Sequence, residues 1–173
     1  MVNSDQLNKD ERFYIDEYNL RRITKNRRIF SYKIEEIEVG KIYRQLDDGS
    51  NQIVPLQETV VYKYLNGEPG SRDDYLKYCE THKTPYRSEA YFKDLAQALK
   101  TEPYDIKKGA VCINQYNIIA EGQHRCCILL SLYGPNYKIK VVKIYYLTPR
   151  PRVSFLYNLL KTKLRVLFKQ RYE

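Results

Sequence analysis

Apolar residues follow two different spacings along this chain. Spacings of three and four, as at Phe92, Leu95, Ala96 and Leu99, predict helices, because they place apolar side chains on one helical face. Helices are predicted in this way over residues 4–26, 73–80, 89–100, 123–132 and 153–172. Alternating or β-branched segments predict strands at residues 29–46 (one long or two short), 52–64 (a strand or a strand and helix), 110–114, 118–121 and 138–147. This mixture predicts an α+β fold with a small mixed β-sheet.

Capping and turn residues set the ends of several predicted elements. Ser4 and Ser88 are suited to cap helix N-termini, and Gly134 is suited to end a helix. The segment 148–152, Thr-Pro-Arg-Pro-Arg, interrupts regular structure before the last helix. We therefore divide the chain into an N-terminal helical arm, predicted to dock loosely, a central α+β domain and a C-terminal helix. These parts cover residues 1–28, 29–147 and 148–173.

A short segment joins the strand predicted at 118–121 to the helix that follows. Gly122 permits a sharp turn there, because glycine adopts backbone conformations that other residues avoid. The first N–H groups of a helix are free, and the helix dipole favours an anion at that end. Gln123, His124 and Arg125 lie in this first turn, directly after Glu121. The two basic side chains add donors, so the segment predicts a phosphate site.

Each of these residues also has a purely structural interpretation. His124 could be a core histidine with its hydrogen bonds satisfied, and Arg125 could pair with a surface carboxylate. Arg87 precedes the N-cap Ser88, where its guanidinium could bind phosphate or form a surface salt bridge. Glu89, in the first turn of that helix, is expected to complement the helix dipole, with a role as a base as the less favoured alternative.

Composition narrows the class of protein. The 173 residues, of which 43% are hydrophobic, suffice for one domain with a core. No apolar run is long enough for a transmembrane helix and no signal peptide is evident, so we expect a cytoplasmic protein. The four cysteines lack metal-ligand spacing and only two histidines are present, so we expect no zinc site. Adjacent Cys126 and Cys127 are predicted to be small core residues rather than a disulfide.

The positive charge is concentrated at the C-terminal end. The chain has 30 Lys and Arg residues against 21 Asp and Glu residues, a formal net charge of +9. Residues 138–173 contain ten of the basic residues and one acidic residue, so the remainder is balanced. This distribution disfavours a protein that binds nucleic acid over its whole surface. A smaller basic cluster is offset by nearby acids and is predicted to be a solvated face: Arg21, Arg22, Lys25, Arg27 and Arg28.

The last predicted helix is basic and amphipathic. Its apolar side chains cover an arc of about 200° at 100° per residue, and Lys161, Arg165 and Lys169 lie opposite. One interpretation is an interfacial helix on an anionic membrane, which would place the protein peripherally at its inner face. The other is a helix docked on its own domain or on a second copy, as in a homodimer. The apolar residues are Val153, Phe155, Leu156, Leu159, Leu160, Leu164, Val166, Leu167 and Phe168.

Three successive segments contain a recognisable order of elements. They are Lys108-Gly-Ala-Val-Cys-Ile113, Ile118-Ile-Ala-Glu-Gly-Gln-His-Arg125, and Gly134 with Ile139-Lys-Val-Val142. Together they resemble the ParB/sulfiredoxin-like superfamily, in which a strand leads through an acidic-Gly-x-His-Arg turn into a helix and another strand follows. The resemblance covers about residues 84–147. It implies a nucleotide site made by residues 122–125, with Arg87 and Ser88 on a loop across the pocket.

Two activities of that superfamily fit this sequence poorly. In sulfiredoxins the catalytic cysteine lies between the glycine and the His-Arg pair, a position that Gln123 occupies here. Cys126 follows Arg125 and would point away from the turn. ParB proteins bind CTP and DNA as clamps and need a helix-turn-helix region after the nucleotide domain. Too few residues follow Leu147 for such a region.

The third activity, phosphoryl transfer to a small molecule, is the one that the resemblance favours. As in the free-serine kinases of similar fold, ATP or another nucleotide would be the donor, with Mg²⁺ bridging its phosphates. His124 and Arg125 would hold the transferred phosphate, and Glu121 would orient the acceptor hydroxyl, accept its proton or hold the metal.

The resemblance also implies an acceptor class and leaves one alternative function. Proteins with a Gly-Gln-His-Arg turn are similar to small proteins associated with cell-surface polysaccharide synthesis, which implies a sugar or a sugar precursor as acceptor. The alternative is a non-catalytic regulatory module of ParB type that binds nucleotide or nucleic acid, with the basic tail meeting phosphates.

Overall fold

A mixed β-sheet with helices packed on it gives the α+β architecture that the sequence predicts. The computed structural model describes residues 4–24, 29–46, 50, 52–82, 85–147 and 153–172. The helices are α1 (Ser4–Lys9), α2 (Glu17–Thr24), α3 (Val60–Leu65), α4 (Ser71–His82), α5 (Glu89–Thr101), α6 (Gln123–Tyr133) and α7 (Val153–Tyr172). The strands are β1 (Ile29–Glu38), β2 (Tyr43–Gln45), β3 (Ile53–Pro55), β4 (Cys112–Asn114), β5 (Ile119–Glu121) and β6 (Lys138–Tyr146).

The larger sheet has the strand order β1-β6-β4-β5 in the described part of the chain. β6 is antiparallel to β1 and parallel to β4, and β5 returns antiparallel to β4. β2 and β3 form a separate antiparallel pair. The N–H of Tyr43, in β2, donates to the carbonyl of Asn117 at 2.9 Å, next to a bridge to Ile118. The entry to β5 is therefore held between β4 and β2.

The sheet separates two apolar clusters. Along β6, Ile139 and Val141 face the cluster built with α3, α4, α5 and α6. Val142 and Ile144 face the other cluster, which is built with α1 and α2. Both faces of this strand are covered at Val141 and Val142, whereas Lys138 and Lys140 at its start are exposed.

Helix α6 lies deep in the first cluster and confirms the helix predicted there. Cys126, Cys127, Ile128 and Leu129 are all fully buried or nearly so, because α6 packs against both α3 and α5. The N–H of Gly134 donates to the carbonyl of Leu130 and ends the helix, as predicted. The four cysteines are free and buried, and the burial of Cys126 and Cys127 agrees with their predicted role in the core.

The N-terminal arm was predicted to be one loosely docked helix, and its structure is different. It consists of two short helices, because Asp16 caps α2 by accepting the N–H of Asn19 at 2.9 Å. Leu7 is fully buried and Phe13 nearly so, in the same cluster as Val142 of β6. The arm is therefore packed on the sheet.

The remaining helices and strands differ from their predicted bounds by less. Residues 29–46 form two strands, and residues 52–64 form β3 followed by α3, whose N-cap is Thr59. The helix predicted at 73–80 is longer and begins at Ser71. Lys25, Arg27 and Arg28 of the basic cluster lie outside the described residues, as does the predicted break at 148–152.

Helix α7 is present as predicted and docks on the β2-β3 pair. Leu159 and Thr162 are buried there, and the Thr162 hydroxyl donates to the carbonyl of Ile53 at 2.5 Å. Arg165 forms an ion pair with Glu58 at 2.7 Å. Among the described residues, no helix combines the length and the apolar character needed to cross a membrane.

Candidate functional site

A cavity of about 390 Å³ opens at the N-terminus of α6. The end of β5 and the first turn of α6 form one wall, and α2, α4 and the segment before α5 form the others. Four arginines and two carboxylates line it, an excess of positive charge that favours an anionic ligand. These residues are Arg22, Arg44, Arg87, Arg125, Asp16 and Glu121.

The turn at Gly122 depends on glycine for two reasons. Its φ of 86° lies in the left-handed region, which other residues rarely adopt. A Cβ at this position would also lie 2.8 Å from a methyl carbon of the fully buried Val111. The carbonyl of Gly122 accepts the first helical hydrogen bond from Cys126 at 3.0 Å. No side chain caps α6 at Gly122, so the first-turn N–H groups beside the cavity can bind an anion.

Arg125 lies against a second glycine that the sequence did not single out. A Cβ on Gly109 would come within 2.6 Å of the guanidinium carbon of Arg125. Within the described residues Arg125 forms no ion pair with a carboxylate, in contrast to its structural interpretation. The backbone at Gly109 therefore shapes the space that the guanidinium occupies, beside the cavity that Arg125 lines.

Glu121 is held by an arginine from the N-terminal arm. The Nη2 of Arg22 donates to Glu121 Oε2 at 2.6 Å and to the carbonyl of Ala120 at 2.9 Å. Burial raises the pKa of Glu121, and the charge of Arg22 acts in the opposite direction. Arg22 was predicted on a solvated face. Its side chain is 44% exposed, in agreement with that prediction, but packing of α2 on the sheet also brings it to the end of β5, where it pairs with Glu121.

His124 is half-buried among aromatic rings, and its imidazole is neutral at physiological pH. Its Nε2 lies 3.3 Å from the hydroxyl of Tyr75, and its ring meets Phe92 edge-on at 5.2 Å. Burial lowers the pKa of His124 to about 4, and the nearby charges of Arg87 and Arg125 act in the same direction. The residue also lines the cavity, so a neutral imidazole can contribute a hydrogen bond to a ligand there.

Arg87 and Ser88 have different positions relative to the cavity. The guanidinium carbon of Arg87 lies 4.8 Å from the ring centroid of Tyr91, and both residues line the cavity. The Ser88 hydroxyl accepts the N–H of Tyr91 at 3.2 Å and caps α5, as predicted. Ser88 is not among the residues that line the cavity, so its role in phosphate binding stays a prediction.

Four tyrosine rings belong to the cavity lining. Tyr75, Tyr78 and Tyr91 line it, together with Tyr18 on α2. Tyr64 stacks on Tyr75 with ring centroids 4.5 Å apart and fixes its orientation. Tyr75 is only 1% exposed, so the rings that can offer a flat apolar surface to a nucleobase or a sugar are those of Tyr18, Tyr78 and Tyr91. The spacing of the tyrosines along the sequence gives no indication of this arrangement, because they come from three separate helices.

The cysteines near the turn are unsuited to nucleophilic chemistry. Cys126 points into the core, and burial raises the pKa of its thiol well above the ordinary value. Burial also raises the pKa of Cys127 to about 12. A thiol with a raised pKa contains little of the reactive thiolate, so these residues are structural.

The carboxylates of the cavity can serve a hard metal ion only in part. Asp16 and Glu121 supply oxygen atoms of the kind that Mg²⁺ prefers. The described residues contain no group of three or more His, Cys, Asp and Glu side chains arranged to hold a metal. This donor set fits a Mg²⁺ ion that is bound mainly by nucleotide phosphates.

Comparisons with known proteins do not place the chain in a family. No protein-family model, no curated protein and no solved structure matches it. The resemblance to the ParB/sulfiredoxin-like superfamily therefore stays a prediction, and the geometry of the cavity is the basis for a functional proposal.

Proposed function

We propose that this chain is a nucleotide-dependent phosphotransferase that acts on a small hydroxylated acceptor. The observation that supports this proposal is the carboxylate of Glu121 within a cavity that contains four arginines and a helix N-terminus. Phosphoryl transfer depends mainly on positioning and on charge stabilisation, which such an arrangement can supply. The ParB/sulfiredoxin-like form of the fold is part of the same proposal.

The first turn of α6 would bind the transferred phosphate. The N–H groups of Gln123, His124 and Arg125 are free of helical partners and lie at the positive end of the helix dipole. Arg125 and Arg87 would neutralise the phosphate oxygens from two sides of the cavity. The neutral His124 would donate one N–H without adding charge.

Glu121 would act as the base for the acceptor hydroxyl. A general base works best when its pKa lies near the working pH, and burial moves the pKa of Glu121 upward toward that range. Arg22 would keep the carboxylate ionised and oriented. The second carboxylate oxygen would then accept the hydroxyl proton as the oxygen attacks phosphorus.

The tyrosine wall would select the organic part of the ligands. Tyr78 and Tyr91 are half-buried and line the same cavity as the phosphate-binding turn, whereas Tyr75 is only 1% exposed. A nucleobase would stack there, or an acceptor sugar would place its apolar C–H face on a ring. The predicted acceptor, a sugar or a sugar precursor of cell-surface polysaccharide synthesis, has the required hydroxyl groups.

Mg²⁺ would be the metal cofactor of this reaction. The nucleotide phosphates would hold it with Asp16 as a protein ligand while Glu121 serves as the base, since the donor set is too small to hold it alone. When bound, the ion supplies positive charge that neutralises the phosphate oxygens.

One observation favours the alternative, a regulatory module that binds nucleotide without turnover. Glu121 already forms an ion pair with Arg22 at 2.6 Å. In the regulatory module this pair would have a purely structural role, which is to join α2 to β5. The same cavity would then bind a nucleotide of ParB type, such as CTP, and nucleic acid would be a less favoured partner.

Replacement of Glu121 by Gln distinguishes the two functions. ADP formation from ATP and Mg²⁺ is measured with a panel of small acceptors that includes free serine and monosaccharides, and nucleotide binding is measured by calorimetry. We expect turnover to fall at least about 100-fold, because the base is lost, while nucleotide affinity is kept.

The exposed Glu89, in the first turn of α5 and outside the cavity lining, provides the matched control. Glu89→Gln should leave both turnover and binding unchanged. Full turnover in Glu121→Gln would contradict the proposed role of Glu121. Nucleotide binding by the wild-type protein without ADP formation for any acceptor would favour the regulatory module.

A further inference from the structure

Helix α7 has two apolar faces, of which the fold uses one. The docked face packs on the β2-β3 pair through Leu159, with Phe155 and Val166 partly buried beside it. Thr162 fixes the same face by its hydrogen bond to Ile53. The helix is therefore held on its own domain without help from its remaining apolar residues.

The second apolar face points away from the domain. Its large side chains are between 45% and 63% exposed, and they make up half of the exposed large apolar residues in the described part of the chain. At 100° per residue they cover an arc of about 120°. They are Leu156, Tyr157, Leu160, Leu164, Leu167 and Phe168.

Lysines border this exposed face on both sides. In helical projection Lys161 lies about 20° beyond one edge of the apolar arc and Lys163 about 20° beyond the other. Around them, residues 138–173 contain ten basic residues and one acidic residue. An apolar strip between two basic edges is typical of helices that lie in the interface of an anionic bilayer.

We propose that the exposed face of α7 binds the surface of an anionic membrane, with the helix axis parallel to the bilayer. This inference does not depend on the proposed phosphotransferase activity. The apolar strip would enter the boundary between headgroups and acyl chains, and Lys161 and Lys163 would reach anionic headgroups. A symmetric contact with a second copy is disfavoured, because it would bring the basic edges of two identical helices together.

Docking on the domain and binding to the membrane are compatible. The centre of the exposed arc lies about 150° around the helix from the docked face, so one contact does not displace the other. The ion pair between Arg165 and Glu58 lies toward the docked side and can persist on the membrane. The helix would thus hold the β2-β3 pair, and with it the entry to β5, close to the bilayer.

Sedimentation with vesicles tests this inference on the full chain. Vesicles of phosphatidylcholine alone are compared with vesicles of equal parts phosphatidylcholine and phosphatidylglycerol. We expect the wild-type chain to bind the anionic vesicles, and the variant with both Leu160→Glu and Leu164→Glu to lose at least about tenfold in vesicle affinity. Lys161→Gln with Lys163→Gln should weaken binding to the anionic vesicles alone.

A matched control distinguishes loss of the apolar face of α7 from the general effect of two added negative charges. Tyr14→Glu with Phe30→Glu places the same two charges at exposed apolar positions outside α7 and should bind vesicles like the wild type. Equal binding of the wild type to both vesicle types, or full binding by the α7 glutamate variant, would overturn the inference. So would a wild-type chain that ignores vesicles and is dimeric by light scattering, with the α7 glutamate variant monomeric.

Discussion

The two walls of the cavity have different origins. The wall at α6 is one continuous segment, from Glu121 to Arg125, that turns from strand to helix. The adjoining wall at α2 contributes Asp16 and Arg22, which are about a hundred residues away in the sequence. Local backbone rules make the first wall, whereas apolar packing of the arm on the sheet makes the second.

This difference separates two kinds of contribution to a site. The α6 wall supplies the fixed backbone geometry at which a phosphate can bind. The α2 wall supplies the charge that acts on the protonation of Glu121. Variants of the first wall should therefore change stability and phosphate binding, and variants of the second should change the pH dependence.

The largest expected effect belongs to Gly122→Ala. The substitution imposes a left-handed backbone on alanine and brings its Cβ against Val111, and together these should cost about 3 kcal/mol of unfolding free energy. Gly67→Ala is the matched control, because Gly67 also has positive φ but no atom lies within 4 Å of its added Cβ. That variant should lose only about 1 kcal/mol. Equal losses in urea unfolding would contradict the close packing of the turn.

A second prediction concerns His124, the half-buried histidine of the α6 wall. In the folded chain His124 is neutral, whereas in the unfolded chain it protonates below its ordinary pKa of 6.5. Its contribution to the free energy of unfolding is therefore complete above pH 6.5. Stability should fall as the pH is lowered toward about 4, with about 2 kcal/mol lost by pH 5.

His124→Gln removes the titrating group, and urea unfolding at pH 7 and pH 5 measures the change. The difference between the two pH values should be smaller in the variant by the amount that His124 contributes. The same difference in the variant and the wild type would show that His124 does not titrate as a buried group.

The smallest effect tests the α2 wall. Arg22→Ala removes the charge that favours the ionised form of Glu121, so the pKa of that carboxyl should rise further. A ¹³C NMR titration of the Glu121 carboxyl carbon measures the shift directly. Arg21→Ala is the control, since Arg21 pairs with Glu17 on the exposed side of α2. An unchanged Glu121 titration in Arg22→Ala would show that the two walls are not electrostatically linked.

The sequence allowed the α6 wall to be predicted because its signals are local. The turn and the two ends of α6 are set by residues within the segment itself. The structure contains each of the expected features, which are Gly122, the uncapped first turn and Gly134. The cap of α5 at Ser88 was predictable for the same reason. A local signal at Asp16 and Asn19 could also have separated the two helices of the arm.

The α2 wall could not be predicted in this way. Arg22 resembles any other arginine of a charged helix, and only the burial of Leu20 and Ile23 beside it sets its direction toward Glu121. The contact of Arg125 with Gly109 likewise depends on chain segments that meet in the folded state. The tyrosine wall has the same origin.

Nucleotide binding at the first turn of α6 is the central claim, and thermal shift tests it most directly. The wild type, Arg125→Ala and the control Arg21→Ala are heated with ATP, ADP, CTP and GTP, each with and without Mg²⁺. A nucleotide at about a hundred times its dissociation constant should stabilise the wild type by about 2.7 kcal/mol, which raises the Tm by several degrees. We expect Arg125→Ala to lose this shift and Arg21→Ala to keep it. The absence of any shift in the wild type, or an equal shift in Arg125→Ala, would contradict the claim.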